Sequence, residues 1–223
     1  MTFELADSTR WLLTAVSLFA VFFGAAVGQT EATPGDIRGF FASKKMKVLT
    51  FFGYSGAGYE DPVAMRAAAS RILDEADPKT TLVNIGATAE GIGEVYAIAK
   101  QKGFFTTGIV STQARDQKVP LSPHVDVTFF VEDETWGGFL PGGNEPSPTS
   151  KAMVENSDIL VAIGGGDVVR DELSYAQRLG KPVRFIPADM NHGAAGKKAA
   201  KKGEPAPTDF GGSAAGVIDA TRR

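Results

Sequence analysis

Three short stretches of this sequence put small residues where an anion could be held. They are Gly53-Tyr54-Ser55-Gly56-Ala57-Gly58, Gly86-Ala87-Thr88-Ala89-Glu90-Gly91 and Gly164-Gly165-Gly166-Asp167. Each follows an apolar run and precedes a segment with a helical pattern. Glycine lets backbone N–H groups approach an anion without a Cβ in the way, and the start of a helix adds partial positive charge. Ser55 and Thr88 add hydroxyl donors. The chemistry expected is binding of a small phosphorylated ligand by Gly53, Ser55, Gly56, Gly58, Gly86, Thr88, Gly91, Gly164, Gly165, Gly166 and Asp167. Any one stretch also reads as a tight strand-to-helix turn. Three at one edge of a sheet are what point to a ligand.

Other chemistries fit less well. Gly53–Ala57 is one residue away from G-x-S-x-G, the elbow that exposes a nucleophilic serine. His192 follows downstream, with Asp158, Asp167 or Asp189 to orient it, so a serine hydrolase using Ser55 is the third reading. However, Ser55 follows the first strand of the domain, whereas an elbow normally follows several. Neither the Walker A lysine pattern nor a complete G-x-G-x-x-G is present, which argues against ATP hydrolysis and nicotinamide chemistry. The 223 residues include no Cys and two His, so thiolate chemistry and a His-rich metal site are excluded, and neither a metal nor a cofactor is expected. The net charge of −3 gives no sign of nucleic-acid binding.

The elements that must position these loops alternate between strand and helix. Apolar runs at 47–52, 81–85, 104–111, 125–131, 159–163 and 183–186 read as buried strands. Helices are expected at 62–76, capped by Asp61 with Pro62 at its first position, and at 90–102, 151–156 and 168–179. This is the pattern of an α/β, Rossmann-like doubly wound parallel sheet covered on both faces. Loops after parallel strands gather at one edge, where ligands bind. Residues 132–150 form a Gly/Pro-rich loop in which Trp136 and Phe139 are candidates to cover a base.

Outside this domain, at 46–190, the expectations differ. Residues 1–28 contain an uncharged apolar run, 11–28, that reads as a signal peptide or membrane anchor, with membrane association through 11–28. The domain would then be exported or anchored. If the true start is Met46, it would be cytoplasmic. Residues 29–45 read as a linker, and residues 191–223, rich in Ala, Gly, Lys and Pro, as a low-complexity tail.

Three segments together resemble a known family. VLTFFGYSGAGYEDPVAMRAAA, LVNIGATAEGIGEVYAIAKQKGFFTTGIV and KAMVENSDILVAIGGGDVVRDELSYAQRLGKPV are similar, in order and spacing, to the nucleoside-monophosphate phosphoribohydrolases of the "lonely guy" type, often labelled lysine-decarboxylase-like. The resemblance covers roughly residues 46–187. It implies that Gly165 and Gly166 correspond to the signature glycines that bind phosphate. It places Glu172 on the signature carboxylate, with Asp171 beside it, and Lys151 on the basic pair of the preceding helix. Glu172, Lys151 and Asp171 are thus the catalytic candidates, with Arg170 a further cation. Two departures weaken the implied hydrolysis of the N-glycosidic bond. Val168-Val169 replaces a Gly-Thr, and Ser150-Lys151 replaces an Arg-Lys pair, which removes a planar bidentate donor. The related molybdenum-cofactor carriers bind a phosphorylated ligand without hydrolysing it. The resemblance also implies a homodimer. Ligand binding is therefore the leading expectation and phosphoribohydrolase activity the second.

Overall fold

The computed structural model describes residues 28–217. The apolar run at 11–28 lies outside the described residues apart from Gly28. Among the described residues, no helix is long and apolar enough to cross a membrane.

Seven described strands form one sheet. They are β1 (Gly28–Glu31), β2 (Lys47–Gly53), β3 (Thr81–Ile85), β4 (Phe105–Ser111), β5 (Val127–Val131), β6 (Ile159–Ile163) and β7 (Val183–Ile186), in the order β1-β5-β4-β3-β2-β6-β7. Every pairing is parallel. The helices are α1 (Pro34–Lys44), α2 (Pro62–Asp74), α3 (Val95–Gln101), α4 (Thr112–Asp116), α5 (Pro148–Glu155), α6 (Asp167–Arg178) and α7 (His192–Lys202). From β2 the chain runs outward through β3 and β4 to β5, then returns to β6 and β7 on the other side of β2. The fold is the expected Rossmann-like doubly wound one, and its switch point lies between β2 and β6.

Strand periodicity divides the core. Leu49 and Phe51 of β2 pack with residues of α2 and α3 on one face. Val48 and Phe52 pack with residues of α1, α5 and α6 on the other. Covering both faces is what makes these strands continuously apolar in sequence. Three polar residues interrupt the second face. The Thr107 hydroxyl donates to Asn84 Oδ1 at 3.0 Å, and the Asn84 amide donates to Thr50 Oγ1 at 3.4 Å. Thr50 in turn shares a 2.5 Å hydrogen bond with Ser157 Oγ. All are buried, and each finds its partner on a neighbouring strand or on the turn after α5, so the sheet centre tolerates them.

The helix starts follow local chemistry. Asp61 accepts from Ala64 N–H with Pro62 at the first helical position, as expected for α2. The helix expected at 151–156 begins earlier, at Pro148, because Ser147 caps it. The helix expected at 90–102 opens with a 3₁₀ turn, Gly91–Glu94, before α3.

The chain outside 46–190 differs from expectation. Within the stretch read as a linker, residues 29–45, lie most of β1 and all of α1. Thr33 and Asp36 form a reciprocal capping box, Pro34 opens the helix, and Ile37 and Phe41, one turn apart, are buried against the sheet. Glycines at 35 and 39 mask this pattern in the sequence. The stretch read as a tail also has structure. Asn191 caps α7, and the chain then returns over the sheet edge. Met190 N–H donates to Phe210 C=O at 2.8 Å and Ala214 N–H to Gly165 C=O at 3.1 Å. Ala214 is fully buried, and the Phe210 ring stacks on His192 at 3.8 Å. Small residues gave no apolar periodicity here because they anchor through backbone hydrogen bonds and close approach.

If α1 is an integral layer, Phe41→Ala lowers the unfolding free energy by about 3–5 kcal/mol in urea titration. A change within about 0.5 kcal/mol, as for an exposed linker residue, would contradict the packing described.

Candidate functional site

At the C-terminal edge of the sheet a cavity of about 320 Å³ opens between the ends of β2, β3 and β4 and the first turn of α6. Two tyrosines set the loops around it. The Tyr59 hydroxyl donates to Ile163 C=O on β6 at 2.8 Å and accepts from Tyr54 N–H at 3.2 Å. The Tyr96 hydroxyl donates to Thr107 C=O on β4 at 2.8 Å and accepts from Ala87 N–H at 3.2 Å. Each joins a buried loop amide to a strand carbonyl, which satisfies both groups and fixes the loop. The first two glycine loops also touch directly, through Ile92 N–H to Tyr54 C=O at 2.7 Å. Gly91, at φ +61°, stands at this crossing, where a Cβ would run into the Tyr54 and Ser55 carbonyls.

Of the residues expected to bind ligand, Gly53, Ser55, Gly86 and Thr88 line the cavity. Gly56 is exposed near the tip of the first loop, and Gly58, at φ +68°, closes a turn by donating to Ser55 C=O at 2.9 Å. Among the described residues, nothing accepts from the backbone N–H groups of Ser55, Gly56 or Ala57. Gly164, Gly165, Gly166 and Asp167 lie outside the cavity lining. The segment at 212–214 packs on Gly165, while Gly166 is half-buried and Asp167 exposed. Ala214 bonds Gly165, Gly212 packs on Gly165, and the Ser213 hydroxyl donates to Asp167 Oδ1 at 2.8 Å. Asp167 also pairs with Arg170 at 3.0 Å. A carboxylate of the chain itself therefore occupies the helix start where an external anion was expected.

Of the catalytic candidates, only Glu172 lines the cavity; Lys151 and Asp171 do not. Asp171 Oδ2 accepts from Phe139 N–H at 2.9 Å, and its Oδ1 accepts from Arg170 at 2.8 Å. That commits it to holding the loop after β5. Adjacent residues on a helix diverge, so Asp171 and Glu172 serve different surroundings. Glu172 is buried. Its Oε1 accepts from the Ser150 hydroxyl at 2.8 Å, while Ser150 Oγ accepts from Gly138 N–H at 2.7 Å. Burial pushes the Glu172 carboxyl up to about 8; the Ser150 hydrogen bond opposes this, and the nearby Asp171 charge adds to it. The carboxyl is thus neutral at pH 7.

The relay through Ser150 positions the loop at 132–147. Gly138 adopts φ +85°, and a Cβ there would press on Asp171 Oδ2 at 3.0 Å. The two aromatic residues expected to cover the site part company. Trp136 lines the cavity, whereas the Arg178 guanidinium lies 5.1 Å from the Phe139 ring, on which it stacks outside the lining. Ser55 and His192 are not joined either. The His192 ring lies near Asp189 and Glu60 and stacks on Phe210, so the serine-hydrolase arrangement is absent among the described residues.

Sequence reasoning missed the apolar walls, which include Phe52, Ile109, Ala114, Val119, Leu121 and Met153. It also missed Thr149, a buried residue of the lining. The Thr149 N–H donates to Asp133 Oδ2 at 2.9 Å. Its hydroxyl lies within the influence of Asp133 but meets no partner at hydrogen-bonding geometry. Only the Ser147-Pro148 helix start signalled that this turn would be ordered.

No family model matches the chain, and no curated protein does. Solved structures are similar to it. The structural-genomics target TM1055 is 24% identical, with 62% of this chain and 72% of that chain covered and a TM-score of 0.46. The Moco carrier protein from Chlamydomonas reinhardtii is 19% identical over 79% of this chain and 96% of that one, at a TM-score of 0.45. DNA processing protein A from Streptococcus pneumoniae is 12% identical over 79% and 62%, at 0.43. Similarity of this degree carries nothing about activity.

The buried carboxyl makes stability depend on pH. Its folded pKa lies above its unfolded value, so the native state holds the extra proton, and stability falls as pH rises from about 4.5 to about 8. Glu172→Gln, which cannot ionise, is expected to raise Tm relative to wild type at pH 8, with the gain shrinking towards pH 5. A pH-independent difference between the two would contradict a neutral Glu172.

Proposed function

We propose that this protein binds a small phosphorylated, nucleotide-like molecule in the cavity at the sheet edge, with the phosphate at the Gly53–Gly58 loop. The observation that carries this reading is the run of three unpartnered backbone N–H groups, Ser55 to Ala57, beside a serine hydroxyl at the cavity mouth. Such a run suits an oxyanion because each N–H would otherwise rely on water. The Gly164–Asp167 loop takes no part in this reading, since it lies outside the cavity lining and carries the Asp167 carboxylate at its helix start.

Binding rather than catalysis fits the charges. Among the described residues, no Lys or Arg lines the cavity. Cleavage of an N-glycosidic bond needs an ionised carboxylate beside the developing oxocarbenium charge. Glu172 stands in the right cavity but is held neutral. A phosphoribohydrolase remains the second reading, because Glu172 is a buried carboxyl facing the site and burial of this kind recurs in catalytic acids.

The test is thermal shift of the full chain with a panel of nucleoside 5′-monophosphates, together with an assay for ribose 5-phosphate in the same samples. The expected result is stabilisation without release. Release that is abolished by Glu172→Gln would establish the hydrolase instead. Stabilisation by none of the panel would remove the proposed function.

Two substitutions sharpen the assignment. The Glu90 carboxylate reaches within 3.9 Å of where a Gly56 Cβ would stand, so it repels an anion at this loop. Glu90→Gln is expected to tighten monophosphate binding, by a few-fold at low salt and less at high salt. Lys151→Ala is expected to leave binding unchanged in the same titration.

A further inference from the structure

We propose that the inner end of this cavity selects a flat, uncharged ring system whose edge presents a hydrogen-bond acceptor to the Glu172 carboxyl. This rests on the cavity being the ligand site, and it adds the chemistry of the part of the ligand that is buried.

Among the described residues, no Lys, Arg or His stands in the lining, so a buried anion would find no counter-charge. A buried cation would find only a carboxyl that its surroundings keep neutral. An uncharged group is the occupant that costs least to desolvate there. Ile85, Ile109, Met153 and Val169 supply apolar walls, and Trp136 brings an indole that is half exposed at the rim, a surface on which a ring can stack.

Gly138 N–H donates to Ser150 Oγ, which leaves the Ser150 hydrogen for Glu172 Oε1. Oε1 is therefore an acceptor, and the proton of the neutral carboxyl belongs on Oε2. Among the described residues, Oε2 has no hydrogen-bond partner. It is an O–H donor left for the ligand, so the complementary group is an acceptor.

The titrating groups around Glu172 are few. On its own helix, Asp171 is committed to Phe139 N–H and Arg170, and Asp167 to Arg170 and Ser213. From the loop after β5, Asp133 accepts from Thr149 N–H and from Thr135. From α5, Ser150 faces it and does not titrate in this range. Among the described residues, Glu172 is the one ionisable residue in the lining itself.

The experiment is ligand-detected NMR on the full chain with two phosphate-free bicyclic probes, from about pH 6.5 to about pH 9, where both are neutral. Quinoline presents a ring-nitrogen acceptor, and indole presents only a donor. Quinoline is expected to bind more tightly than indole at the lower pH and to lose about tenfold in affinity as Glu172 ionises, while indole shows no such loss. Glu172→Gln is expected to flatten the quinoline profile while retaining binding through its amide N–H. Equal binding of the two probes, a flat wild-type profile or binding of neither would overturn the proposal. Because neither probe carries phosphate, these outcomes stand apart from a failure of monophosphate binding at the outer loop.

Discussion

Two buried tyrosine hydroxyls hold the site in shape. A parallel sheet ends in backbone groups that the next strand no longer satisfies, and a cavity at that edge leaves them short of water. Tyr59 and Tyr96 meet this constraint at the first two loops, each taking one loop N–H and giving its own hydrogen to a strand carbonyl. Both phenols are buried, so each would cost more to leave unpaired than a single ordinary hydrogen bond contributes. With these amides committed, those of Ser55 to Ala57 are left over, and they form the anion-binding surface proposed here.

The three glycine loops look alike in sequence and differ in the folded chain. The first presents N–H groups beside the cavity, the second frames the cavity through Gly86 and Thr88, and the third lies outside the lining, with Gly165 packed against the returning C-terminal segment. The difference comes from residues far away in sequence. Gly212 approaches Gly165 and the Tyr54 hydroxyl so closely that only a residue without Cβ fits, and nothing near 164–167 reveals this. The same holds for Glu172. Its resemblance to a signature carboxylate gave its position, but its raised pKa depends on burial and on the nearby Asp171 charge, against the Ser150 hydrogen bond.

The strands and the central helices were legible because apolar runs and caps are local signals. Asp61-Pro62 marked the start of α2, and the order of strands and helices marked the parallel sheet. What stayed hidden were elements held by small residues and backbone contacts. α1 contains two glycines and buries only Ile37 and Phe41, and the segment after α7 docks through Phe210, Gly212 and Ala214. The cavity walls were hidden for another reason. Phe52 and Ile109 read as ordinary strand residues, and only the register of three neighbouring strands turns their side chains towards one space.

The central claim is that the first glycine loop, and not the third, receives the anionic group of a small ligand. Backbone amide shifts in a ¹⁵N-labelled full chain, titrated with adenosine 5′-monophosphate and separately with inorganic phosphate, test it most directly. The account predicts that both move the Ser55, Gly56 and Ala57 amides, that the nucleotide alone also moves the Trp136 indole, and that Gly165 and Gly166 stay still. Shifts confined to Gly164–Asp167 and the 212–214 segment would contradict it.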